Sequence, residues 1–238
     1  MTLYEMSLTR IITIYGAQGF MCAFFLFLAF KILKRDKKRL NVIFSGFYLS
    51  PAIGFIINFI YGPLTDESVV LMLNFLTNFF IFYSSIFIVV FELILLKSEK
   101  AITSKKQLTI LILYGIAMFS MIGFLFYPDF GVTFNANWSP VWSSPFFLYL
   151  VVIETIAIFP ALYLSIQIYK KFEDELIKKK WKFFILGLSS MIIFMYGIFI
   201  SNTLDIDIFR TVIGLVGLIL ALVGAYMMYY GVGRQIEK

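Results

Sequence analysis

The chain has 238 residues, of which 61% are hydrophobic, 19% aromatic and only 14% charged. Soluble domains carry about 25% charged and about 45–50% apolar residues, so a water-soluble fold would have to expose apolar surface on a scale that favours aggregation. The formal charge of +6 does not indicate nucleic acid as a partner, because the basic residues sit in short segments between apolar runs, where they serve as topology signals and contacts for anionic lipid.

A membrane-spanning helix needs about 20 apolar residues, and runs of that length follow one another along the chain. The first, residues 11–33, holds the only cysteine, Cys22. It is long for a signal-peptide core, lacks a clear small-residue cleavage site and leads into Lys34, Arg35, Lys37, Lys38 and Arg39, so it is read as a retained span. The second, residues 40–62, carries Ser50-Pro51, Gly54 and Asn58. The third, residues 69–96, is long enough to tilt or to project beyond the bilayer. Lys97, Lys100, Lys105 and Lys106 separate it from the fourth, residues 108–127. After the segment 128–145 come the fifth span, 146–169, a charged loop, 170–180, and the sixth span, 181–204. The turn Asp205-Ile206-Asp207 precedes the seventh, 211–230. The expected fold is all-α: a single domain, residues 1–238, forming a polytopic seven-transmembrane helix bundle in the cell membrane.

Of the 20 Lys and Arg residues, all but Arg10 and Arg210 fall on one side of such a bundle. Basic residues near span ends mark the cytoplasmic face. The amino terminus is therefore expected outside and the carboxyl terminus in the cytoplasm. Tyr61, Tyr127, Trp138 and Trp142 fall near the outer interface and Trp181, Tyr229 and Tyr230 near the inner one, where aromatic belts form.

Asn74, Asn78, Ser85 and Glu92 fall within roughly 40° of one another on a helix turning about 100° per residue. Such a stripe should face the bundle, since unsatisfied polar groups are costly in hydrocarbon. It serves either as helix–helix glue or as a ligand or ion path, with Asn58 a further candidate. Glu92 and Glu154 are the carboxyl groups well inside spans, and intramembrane carboxyls are functional candidates by default. Glu92 alternatively reaches the interface or pairs with Lys97. Glu154 alternatively hydrogen-bonds a neighbouring helix instead of binding an amine or cation. In span seven, Gly214, Gly217, Ala221, Gly224 and Ala225 form a small-residue face for packing in the bundle or in a homodimer. The segment 128–145 is a candidate lid, with Asp129, Trp138 and Trp142 as outer-loop candidates. Pro51 and Pro160 free backbone carbonyls and kink their helices.

The chain has no histidine and one cysteine, which excludes the usual zinc sites, histidine-ligated haem and a histidine-based triad. Span seven has no lysine for a retinal Schiff base, and there is no Walker A motif. No enzyme activity, metal or cofactor is expected.

Lys178-Lys179-Lys180-Trp181-Lys182 leads into Phe183-Phe184-Ile185-Leu186-Gly187, Asn202 precedes a short outer turn, and the last span ends Tyr229-Tyr230-Gly231-Val232-Gly233-Arg234. Over residues 145–234 this pattern resembles the membrane portion of the histidine kinase amino-terminal seven-transmembrane family. The resemblance implies a sensor that passes an outside or intramembrane signal to a cytoplasmic effector. The sequence runs only a few residues past span seven, so output is expected from a separate cytoplasmic signalling protein, or from chain beyond this sequence. The alternative is a small-solute or ion transporter or channel with a polar path between helices.

Overall fold

The computed structural model describes residue 6 and residues 8–233; Arg234 and Lys238, counted above with the basic side, lie outside the described residues. Among the described residues, seven helices are long and apolar enough to cross a membrane: α1 Ile12–Arg35, α2 Arg39–Tyr61, α3 Glu67–Lys97, α4 Ser104–Phe126, α5 Ser144–Lys171, α6 Glu175–Leu204 and α7 Asp207–Val232. Each matches one apolar run and overshoots it at one end or both. Capping is one cause. Asp66, Thr103, Ser143 and Asp174 accept backbone N–H groups in the first turns of α3, α4, α5 and α6, so these helices begin at a polar cap rather than at the edge of the apolar run. The expected loop 170–180 shrinks to residues 172–174 as a result.

One segment departs from the all-α expectation. Residues 128–145 contain an antiparallel hairpin, β1 Val132–Phe134 and β2 Pro140–Trp142, paired Val132 to Trp142 and Phe134 to Pro140. The Asn135 side chain shapes its tip by accepting from the backbone N–H of Asn137 and Ser139, and Trp138 sits there at φ 55°.

Loop hydrogen bonds define two ends of the bundle. At the basic end, Arg39 donates to Gln107 Oε1 (2.6 Å) and the Glu99 carbonyl (3.3 Å). Asp36, between α1 and α2, accepts from the Lys38 backbone N–H and from Asn41, and the Lys38 N–H above all holds its carboxyl below the usual carboxylate range. At the opposite end, the two remaining basic residues clamp the hairpin. Arg10 donates to the carbonyls of Asn137 and Gly62. Arg210 donates to the Pro140 carbonyl (2.7 Å) and pairs with Asp205 (3.0 Å), which also accepts from Asn135.

The helices associate in two ways. Side-chain hydrogen bonds join α3 to α2 and α5, as described below. α6 and α7 meet chiefly through small residues, beside one hydrogen bond from the Ser190 hydroxyl to the Leu220 carbonyl (2.8 Å): a Cβ on Gly187 would lie 2.5 Å from the Gly224 carbonyl, and one on Gly217 would strike the Phe194 ring. Close backbone approach of this kind gains dispersion energy where lipid supplies no hydrophobic drive. Ala221 and Ala225 are fully buried in the same face. Gly214 is an exception to the expected stripe. It is exposed, with open space where its Cβ would be, because Ile213 makes the contact with Gly197 at that level.

Three expected belt aromatics are also core residues. Trp142 is 3% exposed, against Phe82, Phe146 and Phe199; Trp181 is 4% exposed, stacked on Phe184 at 4.5 Å; Tyr61 is buried and hydrogen-bonded to Asn74. Tyr127, by contrast, is exposed at the bundle surface.

Gly187→Ala should lower the thermal midpoint of the solubilised protein, with a cost of about 1–3 kcal/mol for overpacking against rigid backbone. Gly214→Ala should leave it unchanged or slightly raised. Circular-dichroism melts of the two variants check the contrast.

Candidate functional site

The polar groups of α3 fall into three clusters along the bundle rather than one continuous row. Nearest the hairpin, Asn78 Nδ2 donates to Asn74 Oδ1 (3.0 Å) and Asn74 Nδ2 to Tyr61 Oη (2.9 Å). Asn58, on α2, donates to Gln18 of α1 and is not part of that chain. Thr77 donates to the Gly54 carbonyl (3.2 Å), which closes the α2–α3 seam.

At mid-helix, Ser85 Oγ donates to Glu154 Oε2 (2.6 Å), and Tyr114 of α4 donates to Glu154 Oε1 (3.2 Å). Glu154 is fully buried, so three helices meet at one carboxyl group. α3 breaks just before this point. The Ser84 hydroxyl bonds back to the Ile81 carbonyl (2.7 Å), and Tyr83 separates the two helical halves Glu67–Phe82 and Ser84–Lys97. A hydroxyl competing for a backbone carbonyl in this way bends a helix.

Toward the basic end, Ser165 of α5 donates to Glu92 Oε1, and Trp181 Nε1 of α6 donates to the Ser165 carbonyl (2.8 Å). Glu92 is 0% exposed and its Oε2 has no hydrogen-bond partner among the described residues. The expectation that Glu92 reaches the interface or pairs with Lys97 is therefore overturned. The helix turns its carboxyl toward α5, between Phe91 and the Trp181 side, and not toward the loop. The parallel helices α3 and α5 are thus joined twice with the partners exchanged: serine of α3 to glutamate of α5, then glutamate of α3 to serine of α5.

Beside the middle cluster lies a cavity of about 70 Å³. Met21 and Phe25 of α1, and Phe47, Pro51 and Phe55 of α2, form one side. Ile81, Phe82, Ser84, Ser85 and Ile88 of α3 form a second, with Ile158 and Ala161 of α5. The third is α6, from Leu188 to Ile198, including Met191 and Met195. None of the lining residues is charged, and the only polar side chains among them are Ser84 and Ser85. Ser85 is half-buried and joins the cavity wall to the buried Glu154. The apolar lining with a few placed polar groups is that of small-molecule sites. A smaller space of about 10 Å³ adjoins Asn74 and Asn78.

The outer-loop candidates do not converge on this cavity. Asp129 is exposed, and Trp138 packs half-buried on Phe134 at the hairpin tip. Trp142 stands between hairpin and cavity, edge-on to the lining residue Phe82. Together with Phe146 and Phe199 it fills the hairpin side with rings. Sequence reasoning missed Tyr114, Ser165, Gln18 and the lining face of α6. Ser165 had a signal, since at about 100° per residue it falls about 20° from Glu154 on the same helix face. No protein-family model and no curated protein sequence matches the chain.

Glu154→Met should destabilise the protein, in part because the buried Tyr114 hydroxyl loses its acceptor. Adding Tyr114→Phe should recover about 1 kcal/mol of that loss. Unfolding titrations of the single and double variants measure the recovery, and strict additivity would refute the assigned bond.

Proposed function

We propose that the protein is a membrane sensor or receptor-like module in which an apolar ligand, arriving through the membrane, occupies the mid-bundle cavity. Occupancy shifts the α6–α7 pair against α1, α2, α3 and α5. A separate cytoplasmic protein reads the shift at the basic end. The observation that carries this reading is the position of the cavity. It lies between a helix pair in close backbone contact and a group tied by side-chain hydrogen bonds, and a few bonds hold the seam between them, Thr155 with Tyr196, Trp181 to Ser165 and Tyr48 to Ala225, so its filling biases that seam. A ligand moves such an equilibrium only through different affinity for the two arrangements. The proposed orientation puts the amino terminus outside and the basic end in the cytoplasm, on the bias of Lys and Arg. Entry from the hairpin side is disfavoured by the Arg10 and Arg210 clamps and the rings beneath them.

The transporter reading is weaker. A polar solute needs continuous polar contacts, whereas Asn74–Asn78, Ser85–Glu154 and Glu92–Ser165 are separate clusters and the space beside them is apolar.

The test uses spin labels at Lys38→Cys and Lys178→Cys in a Cys22→Ser background, in lipid nanodiscs. Adding 1-dodecanol should shift the distance distribution between the basic ends of α2 and α6, and Met195→Trp, which fills the cavity, should remove the response. In proteoliposomes, K⁺ and H⁺ flux should equal that of empty vesicles. An unchanged distance together with selective flux abolished by Glu154→Gln would replace the sensor with a transporter. Impermeant thiol reagents should reach Ala136→Cys from outside intact cells and Lys37→Cys only after lysis.

A further inference from the structure

The cavity wall has a property that selects among apolar ligands, and this deepens the sensor reading, on which it rests. Each of the two wall hydroxyls has a single proton, and each proton is already committed. Ser85 donates its own to Glu154 Oε2 (2.6 Å) and Ser84 donates its own to the Ile81 carbonyl (2.7 Å). What remains at the wall is the lone pairs of the two oxygens, which can only accept. Pro51, also on the wall, brings no backbone N–H donor. No lining side chain is cationic, and the methionine sulfurs, Met21, Met191 and Met195, are weak acceptors as well.

We infer that the cavity takes an apolar molecule bearing one neutral hydroxyl donor, which it places on Ser85 Oγ. The inference follows from the unequal cost of polar mismatch. An ether or ester oxygen brought to this wall meets lone pairs and loses its water without replacement. A carboxylate fares worse, since desolvating an unpaired charge costs far more than desolvating a neutral group. An ammonium would leave its charge in a space whose nearest carboxyl, Glu154, lies behind Ser85 with both oxygens already accepting. A hydroxyl completes the row hydroxyl to Ser85 to Glu154, with Tyr114 on the other oxygen.

The experiment is equilibrium binding of tritiated 1-dodecanol to the full chain in nanodiscs, corrected with protein-free nanodiscs, and its displacement by dodecyl methyl ether and by dodecanoate. The alcohol should bind saturably at one site per protein. The ether should compete about fivefold more weakly, the worth of one neutral hydrogen bond, and dodecanoate more weakly still. Ser85→Ala should remove the gap between alcohol and ether while saturable binding persists. Ser85→Thr should keep the gap. Equal affinity of alcohol and ether in the unaltered protein overturns the donor rule and leaves the cavity reading standing; this comparison needs no variant to fold. Absence of saturable binding by all three probes overturns the cavity as a ligand site, and with it the proposed sensor.

Discussion

Hydrocarbon offers no hydrogen bonds, so each polar group carried into the membrane must find its partner inside the bundle. That constraint fixes the middle of this protein. Glu154 and Glu92 have no cation within reach in the described hydrogen-bond pattern, and hydroxyl groups of neighbouring helices hold both, Glu154 by its two oxygens and Glu92 by one. Because the donors and acceptors are exchanged between α3 and α5, neither helix can rotate about its axis without breaking a bond at two depths. The rest of the polar layout follows the same rule. Asn78, Asn74 and Tyr61 form a chain of two hydrogen bonds, and Asn58 is met by Gln18, the amide side chain of α1.

α6 and α7 obey a different rule. Their contact depends on the absence of side chains at Gly187 and Gly224 and on small buried residues at Ala221 and Ala225. Such packing binds two helices tightly to each other and does little to hold them to a third. The remaining ties of the pair to the bundle are few: Arg210 and Asp205 on the hairpin, Tyr196 with Thr155 of α5, and Trp181 on Ser165. Another is the Tyr48 hydroxyl on the Ala225 carbonyl. Between the ties, the half-exposed face of α6 at Met191, Ile192 and Met195 borders the cavity. The space beside this face is what two modes of association leave when they meet.

The spans were legible because a run of about 20 apolar residues is an unambiguous requirement of the bilayer. The inward turn of Asn74, Asn78, Ser85 and Glu92 was legible for the same reason. What each polar residue bonds to was not, because helix periodicity gives a direction and not a neighbour. Glu92 shows the difference: its place near a lysine-rich loop suggested Lys97, yet its helix face points to Ser165. Trp142 and Trp181 failed for another reason. Depth assigns aromatic rings to the interface, but depth is equally compatible with a ring turned inward, and here the hairpin and the Ser165 carbonyl turn them inward. The hairpin itself was hidden by its brevity, three residues on each strand.

The position of Trp181 gives the proposed sensor a mechanical basis. α6 is one uninterrupted helix from Glu175 to Leu204, and it carries both the cavity-facing methionines and, about three turns nearer the basic end, the indole that bonds Ser165. A helix of this kind moves as a rod, so displacement at Met191 and Met195 is felt at Trp181 as a lever and does not need a chain of small side-chain rearrangements. Ser165 is also the hydroxyl that satisfies Glu92, and Glu92 retains one oxygen without a partner. A buried carboxyl half satisfied in one arrangement is stabilised by any second arrangement that brings a donor to its free oxygen. In the proposed sensor the cavity and the Glu92 site would act on the same helix, α6, which is the physical requirement for a signal that starts in the middle of a membrane and is read at its surface.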